Sequence, residues 1–307
     1  MEEQIAGLGT ILVDDIMIVE ETPRIDEKRD AADDARQVGG PVPTALALLA
    51  RLGLRSRFLG CWGDDADGTY IESVLQKDGI GFPASSRRSD GRTGHAHVWV
   101  EAGSGRRTVV CRRPSGGAAN GPVDAAELLD VGWLHLDGWP PDRAVEAARI
   151  VHGRGGRVSI DAGSPRPRMG EIIAVADLVN CPRRFLERYL DESDPVTGGH
   201  RLLSMGARCV TVTDGAEGAW LIDRSAAWHC PALPLDRITD TNGAGDVFCG
   251  GLLYGCLVGW EPPERLRFAC AAAGLKCRER GNRAALPGLA DVTSAMERLT
   301  VQPLSAS

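Results

Sequence analysis

The sequence predicts an α/β fold in which helices cover both faces of a central, mostly parallel sheet, making a three-layer body with a small β lid. Strand-like and helix-like segments alternate along most of the 307 residues, a pattern typical of a parallel sheet between helix layers. Two segments break the alternation and look β-rich. The 43% hydrophobic and 25% charged content is that of an ordinary globular chain with a sizeable core.

The alternating elements follow from apolar runs and from the residues that end them. An apolar run predicts a strand at residues 5–13, and a helix at 44–52 is ended by Gly53, a residue type common just past a helix. Further strands are predicted at residues 57–61, 133–136, 158–160, 178–179 and 210–212, and further helices at 69–77, 143–151, 184–190 and 197–205.

The β lid is predicted from two segments. Residues 95–100 (HAHVWV) alternate with a period of two, a turn-rich spacer fills 101–105, and 107–111 resume the pattern, which indicates a β-hairpin. Residues 14–38 are polar, acidic and poor in helical periodicity. We interpret residues 1–307 as one domain with a lid inserted at about 14–38 and 92–113. Ordinary surface loops remain the alternative.

Charge and cysteine usage narrow the function class and the compartment. The net charge of −7 leaves no basic footprint for a nucleic-acid partner. The longest apolar run, residues 247–258, is too short for a membrane span of about 20 residues, and the N-terminus lacks a signal pattern. The nine cysteines are odd in number and include no C-x-x-C pair. We therefore expect a cytoplasmic protein without a membrane partner.

Residues 240–246 (DTNGAGD) carry the strongest chemical signal. Apolar residues recur with helical spacing from Val247 to Leu257, so a helix begins near Ala244. A glycine loop that leads into a helix N-terminus is an anion site, because unpaired amides and the helix dipole favour negative charge. Asp246 falls in the first turn of this helix.

Asp246 would repel a bound phosphate, so its position makes sense if it faces a substrate hydroxyl. It would take the proton of that hydroxyl while the amides of Gly243, Ala244 and Gly245 stabilise the phosphoryl group in transfer. On spacing alone, an aspartate that merely begins a helix after a tight turn remains an alternative.

Five segments resemble the ribokinase-like (PfkB) carbohydrate kinases. DTNGAGDVFCGG resembles the family's C-terminal signature, D-T-x-G-A-G-D-x-F. The other four follow in the family's order and cover nearly the whole chain. They are GTILVD at 9–14, GGPVPTALALLARLG at 39–53, GCWGDDADG at 60–68 and VTVTDGAEGA at 210–219.

The resemblance implies transfer of the ATP γ-phosphoryl group to a sugar hydroxyl with Mg²⁺, and a lid over the sugar that some members use to form a homodimer. A monovalent cation, common in the family, is not placed by it. Asp246 would be the base, and Gly243, Ala244 and Gly245 the anion hole. The expected substrate-binding residues are Asp14, Gly39, Gly40, Thr44 and Arg107, and the expected nucleotide-binding residues are Asn180, Thr213, Gly215, Gly218, Thr241 and Gly274.

The chain departs from the family in two places. Pro41 and Thr44 stand where asparagines are frequent, so the sugar pocket has different donors; some sulfosugar kinases resemble this variant more closely. The family's N-x-x-E motif begins at Asn180 but has Arg183 in place of the glutamate. Three alternatives are open: Mg²⁺ is organised differently, activity is reduced, or Arg183 pairs with a phosphate. Arg107 either meets an anionic group of the substrate or protects a solvated edge strand.

The remaining signals are weaker. Asp161 ends a predicted strand, where ligands of parallel sheets gather. The six histidines show no H-x-x-x-H or H-x-x-E-H pattern, so no metal site is predicted. His95 and His97 share one face of the hairpin, and pocket contact and solvent exposure both stay open. We expect an ATP-dependent sugar kinase; a nucleoside kinase or a non-catalytic sugar- or nucleotide-binding relative is the alternative.

Overall fold

Ten strands form one sheet through the middle of the protein, and four strands form a second sheet beside it. The structure is a computed structural model that describes residues 4–104, 106–120 and 123–304. The strands are β1 (Gln4–Leu8), β2 (Leu12–Val19), β3 (Asp33–Gly39), β4 (Ser56–Phe58), β5 (Trp62–Gly63), β6 (Ile80–Gly81), β7 (Arg87–Arg88), β8 (Gly91–Arg92), β9 (Gly94–Glu101), β10 (Arg107–Arg112), β11 (Ser115–Gly116), β12 (Val131–Leu136), β13 (Arg157–Asp161), β14 (Leu178–Pro182), β15 (Cys209–Thr213), β16 (Ala219–Asp223), β17 (Ala227–Cys230) and β18 (Gln302–Leu304). The helices are α1 (Pro41–Arg51), α2 (Ala66–Lys77), α3 (Gly117–Asn120), α4 (Pro141–Gly153), α5 (Met169–Ile173), α6 (Arg183–Leu190), α7 (Pro195–Ser204), α8 (Ala244–Leu257), α9 (Pro262–Lys276) and α10 (Leu289–Met296).

The large sheet has the order β18-β17-β16-β15-β14-β13-β12-β1-β4-β6. The strands from β15 to β6 in this order run parallel, and β16, β17 and β18 add an antiparallel edge. One apolar core packs α1, α8, α9 and α10 on one face, and a second packs α4, α5, α6 and α7 on the other. The predicted three-layer α/β architecture is confirmed.

The four-stranded sheet has the order β10-β9-β2-β3. It includes the predicted hairpin, because β9 pairs antiparallel with β10; its turn at Gly105 lies outside the described residues. The prediction of a single strand at residues 5–13 was wrong. The chain leaves the large sheet after Leu8, and the amide of Thr10 donates to the carboxylate of Asp137 at 2.9 Å before β2 begins at Leu12.

Most predicted elements recur with longer bounds. Helix α1 begins at Pro41 instead of Thr44, because proline suits the first helical position, where its missing N–H is not needed. It ends before Gly53, whose φ of +89° is left-handed. The sequence interpretation gave no bounds for α9 and α10. The buried positions of α9 run from Leu266 to Ala272 almost without a break, so no amphipathic stripe marks it.

All nine cysteines are free. Within the described parts of the chain, none of the helices combines the length and the apolar character that a membrane crossing requires.

Candidate active site

The glycine loop before α8 presents main-chain N–H groups to open space. Gly243 caps the helix with a left-handed φ of 79°, and its carbonyl accepts from Val247 at 2.9 Å. The amides of Gly243, Gly245 and Asp246 have no acceptor among the described residues, whereas that of Ala244 donates to Thr241 at 3.2 Å. A Cβ on Gly245 would meet no atom within 4 Å. The predicted start of the helix at Ala244 is confirmed, and the loop is shaped to receive an anion.

The carboxylate of Asp240 fixes the glycine loop by accepting hydrogen bonds from two main-chain amides. Its Oδ1 accepts from the amide of Asn242 at 2.8 Å and its Oδ2 from that of Gly281 at 3.0 Å. Burial opposes ionisation of this carboxyl, but the hydrogen bond from Asn242 and the ammonium of Lys276 outweigh burial and lower its pKa. An ionised Asp240 therefore ties the loop to the residues that follow α9.

Asp246 is half-buried in the first turn of α8. Burial raises the pKa of its carboxyl to about 6, and Asp137 adds to the rise, while Arg283 and Arg107 act in the opposite direction. A carboxylate of this kind is mostly ionised at neutral pH and is a better proton acceptor than an exposed aspartate.

Two more carboxylates lie beside Asp246 at the carboxyl ends of neighbouring strands. Asp137 is buried after β12 and accepts from the amides of Thr10 and Trp139, each at 2.9 Å. Asp161 ends β13, and burial followed by repulsion from Asp246 and Asp137 raises its pKa to about 7. Sequence reasoning singled out Asp161 but missed Asp137, although both follow predicted strands and the same rule applies to both.

Asp14 and the glycine pair fit together closely. A Cβ on Gly39 would lie 2.3 Å from Oδ2 of Asp14, and one on Gly40, whose φ is +118°, would lie 2.1 Å from the carbonyl oxygen of Thr10. Only glycine fits at either position without a rearrangement. Burial raises the pKa of Asp14 to about 6, and the nearby Gln37 lowers it.

Thr44 joins the glycine pair to the glycine loop. Its buried hydroxyl donates to the carbonyl of Gly40 at 2.9 Å and accepts from Nη1 of Arg283 at 3.2 Å. A Cβ on Gly243 would lie 3.8 Å from Cγ2 of Thr44 and 3.8 Å from Oδ2 of Asp246. The hydroxyl is thus engaged within the protein, and its predicted contact with the substrate stays a prediction.

Asn282 and Arg283 are site residues that sequence reasoning missed. The Cβ of Asn282 lies 3.5 Å from where a Cβ on Gly243 would be, and Nε of Arg283 donates to Asp78 at 2.8 Å. Oδ1 of Asn282 and Nη2 of Arg283 are buried without a partner among the described residues. Buried polar atoms are normally satisfied, so these two atoms suit a bound ligand. No sequence pattern marks this loop.

Arg107 is exposed on β10, and its role in substrate binding stays a prediction.

The residues expected at the nucleotide lie in the middle of β14, at the end of β15, and later in the chain. Buried Asn180 accepts from the hydroxyl of Thr211 at 2.9 Å, and Thr213 ends β15. A Cβ on Gly218 would lie 2.1 Å from the carbonyl oxygen of Cys230, so packing alone requires this glycine. The other expected positions are the left-handed Gly215, exposed Thr241 before α8, and Gly274 of α9, which packs against Leu233. Nucleotide contact by these residues stays a prediction.

Arg183, which replaces the glutamate of the N-x-x-E motif, begins α6. Its Nη1 lies 3.0 Å from Oδ2 of Asp214, and its Nε donates to the carbonyl of Ser193 at 2.8 Å. The guanidinium therefore lies beside the turn that holds Gly215, where it pairs with a carboxylate within the protein.

Comparison with known proteins shows which family this chain belongs to. Residues 3–288 match the model of the pfkB family carbohydrate kinases. The chain belongs to this family. It is an ATP-dependent carbohydrate kinase, a phosphotransferase with an alcohol group as acceptor.

Relatives of this pfkB kinase include several sugar kinases. Ketohexokinase from Mus musculus is 23% identical over 295 residues, which cover 91% of this chain and 98% of that protein. Fructokinase from Vibrio alginolyticus is 26% identical over 272 residues, covering 81% and 88%. Ribokinase from Arabidopsis thaliana, solved with ribose and ATP, superposes with a TM-score of 0.86 at 23% identity, covering 97% and 99%. The last comparison confirms the ribokinase-like fold.

Proposed function

We propose that Asp246 is the general base of this kinase and that the free amides beside it hold the transferring phosphoryl group. The observation that carries the proposal is a half-buried carboxylate of raised pKa in the first turn of a helix whose leading amides face open space. Asp246 takes the proton of the acceptor hydroxyl as the hydroxyl oxygen attacks the γ-phosphorus. The bond from that phosphorus to the β–γ bridging oxygen breaks, and ADP leaves with its electron pair. The amides of Gly243 and Gly245 stabilise the charge on the phosphoryl oxygens.

The acceptor is a small carbohydrate or sugar derivative that lies between Asp14 and Asp246. Asp14 accepts hydrogen bonds from its hydroxyls. The unpaired Oδ1 of Asn282 and Nη2 of Arg283 supply one further acceptor and one donor. These groups fix which hydroxyl faces Asp246.

ATP enters with Mg²⁺ as its counter-ion. Within the described residues, the one group of three His, Cys, Asp or Glu side chains placed to hold a metal lies on the four-stranded sheet and includes no residue of the glycine loop. Mg²⁺ typically uses one or two protein oxygens together with substrate phosphates, and Asp161 and Asn180 offer such oxygens. The donor set therefore fits Mg²⁺ that arrives with the nucleotide.

The monovalent cation implied by the resemblance has a candidate replacement in this chain. The ammonium of buried Lys276 contacts both the carbonyl and the carboxylate of Asp240, the first residue of the glycine loop. We propose that this ammonium supplies the positive charge at the loop.

The four-stranded sheet acts as a lid in this proposal. Asp14 lies on β2, and Arg107 on β10 is near enough to lower the pKa of Asp246. Closure would exclude water, which otherwise competes for the phosphoryl group.

Exposed Met17 and Val110 on this sheet support a homodimer contact there, and light scattering of the purified chain tests it.

A coupled ADP assay with a panel of acceptors tests the function. The panel contains ketoses, aldoses, sugar acids, sulfosugars and nucleosides, each with MgATP. We expect ADP production with at least one sugar, and a loss of at least about 100-fold in kcat in Asp246→Asn, with exposed Asp236→Asn as the matched control. Turnover in Asp246→Asn equal to that of the control would refute the mechanism. ADP production with nucleosides alone would identify a nucleoside kinase, and binding without ADP production a non-catalytic relative.

A further inference from the structure

The four-stranded sheet holds a cluster of two histidines and an aspartate that the kinase reaction does not use. His95 and His97 lie two residues apart on β9 and therefore share one face of the sheet. Asp15 on β2 is directly opposite His97 in the parallel register. One ligand atom from each of these three side chains lies within 4.8 Å of the other two. The neighbouring Asp14 points to the other face of the sheet, where its carboxylate lies against Gly39.

The two ring nitrogens of His95 both face carboxylates. Its Nδ1 lies 2.8 Å from Oδ2 of Asp67, and its Nε2 lies 2.9 Å from Oδ2 of Asp15. A neutral imidazole has a single N–H and can donate to only one of two carboxylates. With the N–H directed at one carboxylate, the lone pair of the other ring nitrogen faces a carboxylate oxygen, and these are two atoms that a cation can bind together.

The surrounding groups fit the cation. A carboxylate on the remote nitrogen of a ligating histidine is a common outer partner in metal sites, and Asp67 occupies that place. Arg36 approaches Oδ1 of Asp15, at 3.8 Å, and Oδ1 of Asp67, so that the Oδ2 atoms remain directed at His95. His97 has no hydrogen-bond partner among the described residues and is exposed, so its ring can turn toward the ion.

We propose that Asp15, His95 and His97 form a binding site for a divalent transition-metal ion of the Zn²⁺ class. Imidazole and carboxylate ligands suit Zn²⁺, and two ligands of one tetrahedral ion at 2.0–2.1 Å are about 3.3 Å apart. Nε2 of His95 and Oδ2 of Asp15 are 2.9 Å apart, so they must separate slightly to take up the ion. The ion joins β2 to β9 and, through Asp67, to α2. It thereby fixes the strand that carries Asp14 without contacting the substrate.

Calorimetric titration of the untagged full-length chain with Zn²⁺, after removal of metals by a chelator, tests the proposal. We expect one ion per chain and at least tenfold weaker binding in His97→Ala and in Asp15→Asn. Exposed His152→Ala on α4 is the matched control and should bind like the wild type. Equal Zn²⁺ affinity in wild type and His97→Ala, or no binding to the wild type, would overturn the proposal.

Titration with Co²⁺ separates this site from a cysteine site, because exposed Cys111 lies on the adjacent strand β10. We expect a visible spectrum without intense thiolate-to-metal absorption, unchanged in Cys111→Ser and lost in His97→Ala. Thiolate absorption that disappears in Cys111→Ser would assign the ion to the cysteine and refute the histidine site. Neither readout depends on kinase activity.

Discussion

Nζ of Lys276 lies 2.8 Å from the carbonyl oxygen of Asp240 and 3.1 Å from Oδ2 of the same residue. The lysine is fully buried at the end of α9, and Asp240 is the first residue of the glycine loop. A buried ammonium needs a paired charge and hydrogen bonds, and Asp240 provides both. One ion pair thus fixes the loop whose amides are proposed to bind the phosphoryl group.

Lys276→Met should lower kcat and destabilise the protein. The substitution leaves Asp240 partly buried without its counter-charge, and breaking such a pair typically costs about 3–5 kcal/mol. The measurements are ADP production and urea unfolding, with surface Lys77→Met as the matched control.

The wild type should also turn over equally fast in potassium, sodium and choline chloride at constant ionic strength, because the ammonium is built in. Strong activation of the wild type by K⁺ would contradict this role of Lys276.

The pH dependence of kcat/KM should report the base. The pKa of Asp246 is raised to about 6 by burial, and a general base must be ionised to act. The expected profile rises with pH, passes half of its maximum near pH 6, and is flat above pH 7.5. Asp14, whose pKa is also raised to about 6 by burial, sharpens the rise if it binds the acceptor in its ionised form. A flat profile from pH 5 to 8 would exclude Asp246 as the base.

Arg183→Ala should raise the KM for ATP several-fold while changing the free energy of unfolding by less than about 1 kcal/mol. The Arg183–Asp214 pair is partly exposed, and such pairs contribute little to stability. A guanidinium beside the turn at Gly215 can instead pair with a phosphate. Asp214→Ala is the control, because it removes the same ion pair and keeps the guanidinium. Equal KM values for ATP in the two variants would assign Arg183 a purely structural role.

The part of the site that lies in one continuous segment could be predicted from the sequence, and the part that depends on contacts between distant residues could not. Residues 240–246 are contiguous, so the glycine loop, the start of α8 and the place of Asp246 could be predicted from spacing. Arg283 could not, because its role follows from contact with Thr44, 239 residues earlier in the chain. The break between β1 and β2 likewise depends on the bond from Thr10 to Asp137, across 127 residues.

The same limit explains the histidine cluster. The H-x-H spacing of His95 and His97 predicts a shared face, but the third group, Asp15, reaches them only through the parallel register of β2 with β9. A contact between strands that are distant in the sequence cannot be predicted from the spacing of residues within one segment. The histidine pattern alone therefore predicted no metal site.

Asp161→Asn should raise stability at pH 8 more than at pH 5. The pKa of Asp161 is raised from 3.8 to about 7, first by burial and then by Asp246 and Asp137. A raised pKa means that the folded protein favours the protonated form. The stabilisation that the protonated carboxyl gives the fold, relative to the ionised one, is fully present below pH 3.8 and is lost as the pH rises through 7. At pH 8 the ionised carboxylate therefore destabilises the fold, and a neutral amide relieves this cost, by about 1.4 kcal/mol for each pKa unit of the shift.

Urea unfolding of wild type and Asp161→Asn at pH 5, 6.5 and 8 measures this difference. Asp223→Asn is the control of opposite sign, because hydrogen bonds from Ser225 and Ala226 outweigh burial and lower the pKa of Asp223. The control should lose stability at neutral pH and approach the wild type only under acid conditions. If Asp161→Asn is less stable than the wild type at pH 8 by as much as at pH 5, the pKa of Asp161 is not raised toward 7. The repulsion between Asp161 and Asp246 then has no energetic effect on the fold.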